Sequence, residues 1–171
     1  MRVGEDVRIS DKAEIVRPHL VSIGSHVAID MGVYISTGAV IGDYVHIAPH
    51  VCIIGGSLCT IIMEDFSNLS AGAKVVVSGD DFTQGMLNPI VPIKYRCVKG
   101  YEVVMRRFSA VGVNSVVLPD VVMAEGSILG ANSLLTKSTE PWTIYVGSPA
   151  KPVKIRDKEL ILKAYKELGY E

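Results

Sequence analysis

Aliphatic side chains recur every six residues through most of this chain, and few folds can absorb that period. They stand at Val3, Ile9 and Ile15, and after a two-residue slip at Ile23, Ile29, Ile35, Ile41, Ile47 and Ile53. The series skips, resumes at Met63, Leu69 and Val75, breaks again, and continues at Met105, Val111, Val117, Met123, Leu129 and Leu135. A second set, mostly small or β-branched, falls four residues later: Val27, Val33, Ala39, Val45 and Val51, then Ser67, Ala73, Ser109, Ser115, Ser127 and Ser133. That position also precedes the next aliphatic by two, and residues two apart in an extended strand share a face. Each repeat therefore supplies a short strand with two inward side chains and one outward side chain between them. A period of six fits neither the 3.6-residue helix nor the ~8–12-residue strand spacing of an antiparallel sandwich. It fits a parallel β-helix, whose coils stack the repeats. Three strands per coil turn the eighteen repeats into about six coils, roughly 29 Å tall at the ~4.8 Å strand spacing. The remaining residues, as in "IGDYVH" and "LGANSL", are the Gly, Asp and Asn of turns with positive φ.

The solenoid is expected over residues 1–156, interrupted by a projecting loop at about 78–103. That loop, "SGDDFTQGMLNPIVPIKYRCVKGY", carries no repeat, and long irregular excursions from compact domains are usually functional or disordered. Its Pro89, Pro92, Phe82, Tyr95 and Tyr101 argue for order. Val75 and Met105 are five repeats apart, which leaves room for a partial coil. Residues 157–171 change character to a helix, with Asp157 as N-cap, an apolar stripe of Leu160, Ile161, Ala164, Tyr165 and Leu168, and Gly169 as its stop. Such a helix covers the last coil or a neighbouring subunit, because an open β-helix end exposes strand edges.

A formal net charge of −1 over 171 residues excludes a broad basic nucleic-acid surface and points to small-molecule partners. Cys52, Cys59 and Cys97 lack metal-site spacing and read as free thiols of a reducing compartment. "MRVGEDVRIS" has no apolar signal-peptide region, and no run approaches the ~18 apolar residues of a membrane span. The expected location is the cytoplasm, with no membrane partner.

Four stretches, "IGDYVHIAPHVCI", "LSAGAKVVVSGDDF", "VGVNSVVLPDVVMAEGSILGANSLLTKS" and "PWTIYVGSPAKPVKIR", resemble the left-handed β-helix, hexapeptide-repeat acyltransferases. The resemblance is strongest to the bacterial sugar O-acetyltransferase and nucleotide-amino-sugar N-acetyltransferase branch, and covers about residues 20–156. Left-handedness comes from the resemblance alone, since the ordinary crossover rule gives the opposite hand. The resemblance implies a homotrimer, acetyl-CoA in clefts between subunits, and an acceptor near the projecting loop.

Acyl transfer from a thioester needs a positioned nucleophile, a route for its proton and a donor to the oxyanion. Of the four histidines, His19 falls on an inward position and reads as packed, His46 lies outward on a strand, and His26 occupies an early corner. His50, on a corner just before the glycine-rich "IIGGSLCT", is the best-placed candidate base. A metal site of the three-histidine kind lacks a suitable third histidine, so no metal is expected. Many relatives carry a loop histidine where this chain has Asp80 and Asp81. That pair, with Phe82 and then Asn88-Pro89, resembles the Asp-Asp-aromatic motif of the amino-sugar and galactoside branch. A carboxylate there binds an ammonium or a hydroxyl, or accepts a proton. The base thus stays open between His50 and the loop aspartates.

The same resemblance assigns Lys137, Lys151 and Lys154 to the coenzyme A phosphate. It sets Gly112, Gly130 and Ala131 along the pantetheine channel, where small residues permit close approach. Trp142 either stacks on adenine or packs beneath the "GSPAK" turn. The function implied is transfer of acetyl from acetyl-CoA to the amino group of a nucleotide-linked amino-deoxy sugar of surface (lipopolysaccharide-type) polysaccharide. Missing the loop histidine favours an amine, which attacks once neutral, over a hydroxyl, which needs a stronger base. The alternatives are a galactoside-type sugar O-acetyltransferase and a non-catalytic β-helix assembly scaffold.

Overall fold

Every one of the eighteen six-spaced aliphatics lies in a β-strand of the computed structural model, which describes residues 1–170. Three parallel sheets form the faces of a prism. Sheet A is built from Arg2–Val3, Val21–Ile23, Gly38–Ile41, Thr60–Met63, Glu102–Met105 and Val122–Met123. Sheet B follows each of these around the corner, from Arg8–Ile9 to Ile128–Leu129, and gains Thr143–Gly147 and Ala150–Ile155 at its end. Sheet C completes each coil, from Glu14–Ile15 to Leu134–Leu135. Six full coils result, with a partial seventh.

The registers align like with like. Ile29, Ile47, Leu69, Val111, Leu129 and Tyr145 stack through sheet B. The first five of these are at most 1% exposed, and burying each aliphatic contributes about 1.5–3 kcal/mol. The second inward set is buried too, and its change from Val to Ser puts hydroxyls inside the late coils. There Ser115 donates to the Gly130 carbonyl at 2.7 Å, and the Ser127 and Thr139 hydroxyls lie 2.8 Å apart.

Glycine and asparagine take the left-handed turns between sheets B and C, at Gly32, Gly72, Asn114 and Asn132, as expected. The edge between sheets A and B is different. His26, Tyr44, Phe66, Phe108 and Trp142 adopt φ between 52° and 61°, a conformation bulky residues seldom take. Their rings stack up the edge: His26 on Tyr44 at 4.5 Å, Tyr44 on Phe66 at 4.9 Å, Phe66 beside Phe108 at 5.5 Å. The residues expected as simple turns are here a ladder.

That ladder receives the C-terminal helix. Helix α1, Glu159–Glu167, starts where the Asp157 carboxylate accepts the Glu159 N–H at 2.9 Å, and ends before Gly169 at φ 87°. It does not cover the last coil, which the antiparallel return of Ala150–Ile155 on Thr143–Gly147 borders instead. It runs back along the ladder, with Tyr165 edge-on to Phe66 and Phe108, and Tyr170 edge-on to Tyr44. The expected stripe is rotated: Ile161, Leu162 and Tyr165 face the ladder, while Leu160 and Leu168 are exposed. The large Tyr165 ring dominates the choice of face. Glu171 lies outside the described residues.

Two further expectations change. His19 is exposed, because the two-residue slip becomes a 3-10 turn, Pro18–Leu20, that takes it off the strand. The excursion after Val75 holds no partial coil; it is an antiparallel hairpin of Gly79–Gly85 on Arg96–Lys99.

Candidate active site

Three departures from the period of six fall at residues 16–20, 55–59 and 77–101, and all three leave sheet C and return to sheet A. They therefore occupy one edge of the prism, the C/A edge. Between the first two lies a regular corner, Ser36 and Thr37, which anchors the second. Thr37 Oγ1 lies 3.1 Å from the Gly56 carbonyl and 2.6 Å from that of Cys59, and Ser36 Oγ accepts the Gly55 N–H at 3.2 Å. Ser78, at the root of the hairpin, accepts the Gly56 N–H at 3.3 Å. A cleft of about 650 Å³ opens among the three segments, lined by Arg17, Gly56, Leu58, Asp80, Arg96 and Tyr101 among others. A Cβ on Gly56 would meet nothing within 4 Å, so the backbone there faces open space.

The hairpin aspartates are both matched by cations. Asp80 Oδ1 accepts from Arg96 Nε and pairs with its Nη2, each at 2.9 Å. Asp81 Oδ2 lies 2.6 Å from Lys99 Nζ, while its Oδ1 accepts the Thr83 N–H at 2.9 Å and hydroxyl at 2.8 Å. The Lys99 contact foremost, then the Thr83 donors, hold the Asp81 carboxyl down at about 2. Asp81 is thus a fixed anion at neutral pH and a weak proton acceptor. Because its folded value lies below the ordinary carboxylate range near 4, the stability it lends the hairpin is present above that range and lost as pH falls through about 2. Pepsin cleavage within residues 78–101 is expected to rise only below about pH 4, and Lys99→Met to weaken that dependence while the Thr83 donors preserve part of it. Acid-insensitive cleavage of the native protein would contradict it.

Asp80 lines the cleft, and the same strand carries Phe82, which is 88% exposed. Asn88 accepts the Ile90 N–H at 2.9 Å and shapes the loop that brings Pro89 to the cleft. His50 is not among these. It sits at φ 60° on the B/C edge, with its ring over Gly32. Gly112, Gly130 and Ala131 lie on that same edge, and a Cβ on Gly112 would come within 2.8 Å of the backbone of the next coil. The candidate acceptor residues and three of the candidate donor residues, Gly112, Gly130 and Ala131, thus lie on two edges separated by sheet C. Lys137, Lys151 and Lys154 are exposed beside the final coil, the last two on Ala150–Ile155.

Trp142, left open between stacking on adenine and packing, lies against the aromatic rings of the A/B edge. Its ring is 9% exposed, lies over Gly126, neighbours Phe108 at 5.9 Å and has the Arg156 guanidinium 5.8 Å away. It is the end of the ladder. Arg17 belongs to no motif, yet it lines the cleft and the repeat itself locates it. The interruptions follow the third, ninth and twelfth aliphatics, so counting repeats in threes sends all of them, Arg17 included, to one edge. Among the described residues, no three His, Cys, Asp or Glu side chains come together as a metal site.

A parallel β-helix with one built-out edge defines a class: the chain belongs to the bacterial transferase hexapeptide-repeat family. The family's six-repeat pattern matches residues 21–55. Over 163 residues the chain is 38% identical to the dTDP-4-amino-4,6-dideoxy-D-glucose acyltransferase of Escherichia coli, covering 93% of this chain and 84% of that one. A variant of AntD, an N-acyltransferase from Bacillus cereus, solved with dTDP and coenzyme A, superposes with a TM-score of 0.94 at 35% identity, covering 98% of this chain and 91% of AntD. AntD has also been solved with dTDP and 3-hydroxybutyryl-CoA, at 36% identity, TM-score 0.94, and coverages of 98% and 89%.

Proposed function

We propose that this protein is an acyl-CoA-dependent N-acyltransferase whose acceptor is the amine of a dTDP-linked amino-dideoxy sugar. The observation that carries the reading is the meeting of all three interruptions of the repeat in one cleft with Asp80 in its wall. Near-full-length similarity to a dTDP-amino-sugar acyltransferase supplies the acceptor class. In the reaction, the neutral amine attacks the thioester carbonyl carbon, the N–C bond forms, the C–S bond breaks, and the amine proton ends on the departing thiol. Asp80, steadied by Arg96, orients the amine, and Asp81 holds the hairpin that carries it. His50, on the edge shared with Gly112, Gly130 and Ala131, is the proton acceptor, reaching the cleft from a neighbouring subunit. Lys137, Lys151 and Lys154 take the coenzyme A phosphate. The separation of these groups onto two edges supports a homotrimer with its sites between subunits. The setting is the cytoplasm, and the pathway is synthesis of surface polysaccharide of the lipopolysaccharide type.

Acetyl is the acyl group we favour; a hydroxyacyl donor is the second reading, because AntD has been solved with 3-hydroxybutyryl-CoA. Thiol release should be measured with both donors against dTDP-4-amino-4,6-dideoxyglucose, dTDP-glucose and a simple galactoside. Release is expected with the amino sugar alone. Release with hydroxyl acceptors only would make this an O-acetyltransferase, and absence of coenzyme A binding at millimolar concentration would favour a scaffold.

A further inference from the structure

The cleft contains a charge without a counter-ion among the described residues. Among its lining residues the ionisable side chains that carry charge at neutral pH are Arg17, Asp80 and Arg96, and the latter two neutralise each other. Arg17 comes from the first interruption, where Pro18–Leu20 makes a 3-10 turn closed by the Leu20 N–H on the Arg17 carbonyl at 2.9 Å. Its Nη1 donates to the Ser36 carbonyl of the next coil, which fixes the guanidinium at the cleft wall. Among the described residues, no carboxylate lies within 4.0 Å of it, in contrast to Arg96 and Lys99. A guanidinium has five N–H donors in a planar fork suited to bidentate recognition of a carboxylate or phosphate. A half-buried one with a single neutral acceptor is a site for an anion.

We infer that Arg17 binds the diphosphate of the nucleotide that carries the acceptor sugar. The inference rests on the reading above, which puts that acceptor in this cleft. Arg17 then separates nucleotide-linked from free sugars, whereas Asp80, deeper toward the hairpin root, meets the sugar itself. Coenzyme A also contains a diphosphate, so the test must tell the two sources apart.

Binding of dTDP, dTMP and coenzyme A should be measured by calorimetry on the full-length protein, its Arg17→Ala variant and its Arg17→Lys variant, with steady-state kinetics alongside. Arg17→Ala is expected to weaken dTDP about 10–100-fold, the worth of charge-assisted hydrogen bonds, and dTMP less. The coenzyme A affinity stays the same, and the KM of the dTDP-sugar rises with kcat within about twofold. Arg17→Lys, which keeps the charge without the fork, falls between. Unchanged dTDP affinity in Arg17→Ala overturns the inference, and so does a loss confined to coenzyme A. An Arg17→Lys variant as weak as Arg17→Ala, with its melting temperature lowered in parallel, overturns it too, because the side chain would then only brace the Ser36 corner. Failure of the native protein to bind dTDP is a different result and removes the nucleotide-sugar reading itself.

Discussion

Activity is expected to return when two inactive variants, Asp80→Asn and His50→Ala, are assembled together. Alone, His50→Ala should lower kcat by about 10²–10⁴-fold, the range for losing a positioned acid-base group, and Asp80→Asn by about 10²-fold through misplacing the amine. Asp80 stands on the C/A edge and His50 on the B/C edge, so the width of sheet C separates them within one protomer. If a site uses Asp80 of one subunit and His50 of the next, random co-assembly leaves about a quarter of the sites with both native residues. Co-expression with two purification tags and a thiol-release assay checks this. A mixed trimer no more active than its parents would sink the shared site. A fully active His50→Ala protein would remove His50 from the chemistry and leave catalysis to positioning of the amine.

Replacing Phe108 by glycine is expected to destabilise the protein by about 2–3 kcal/mol, although the native backbone there favours glycine. Two effects oppose. Phe108 holds φ 61°, and an ordinary residue in the left-handed region loses roughly 1–2 kcal/mol that glycine does not. Against that stands removal of a ring 6% exposed, wedged at 5.5 Å from Phe66, 5.9 Å from Trp142 and 5.1 Å from Tyr165. Deleting a buried Phe costs about 3–5 kcal/mol, so packing wins. Differential scanning calorimetry should give a melting temperature about 4–12 °C lower. A rise would mean that the strain outweighs the stacking.

The solenoid was legible because a single number, six, ties strand, face and turn together, and each of the eighteen aliphatics obeys it. The ladder was not read, because His26, Tyr44, Phe66 and Phe108 occupy turn positions where Gly and Asn are the ordinary choice. Only their shared phase in the repeat marks them. The loop aspartates were found by their motif, but their partners Arg96 and Lys99 sit across a hairpin whose register no local pattern gives. Arg17 is hard to read because a slip of two residues resembles noise until the repeats are counted by coil. Periodicity also says nothing of which edges of two subunits meet.

Confining every insertion to one edge has a consequence for how such chains can diversify. The entropic cost of closing a loop grows only as the logarithm of its length. Exchanging the five residues 55–59 for a segment as long as residues 77–101 would therefore cost only about 1–1.5 kcal/mol more in closure. The strands on either side keep their phase whatever hangs between them. The C/A edge is in effect a socket: hairpins of new length and chemistry can be exchanged there to change the acceptor, while the remaining two edges and the stack of coils behind them need no redesign.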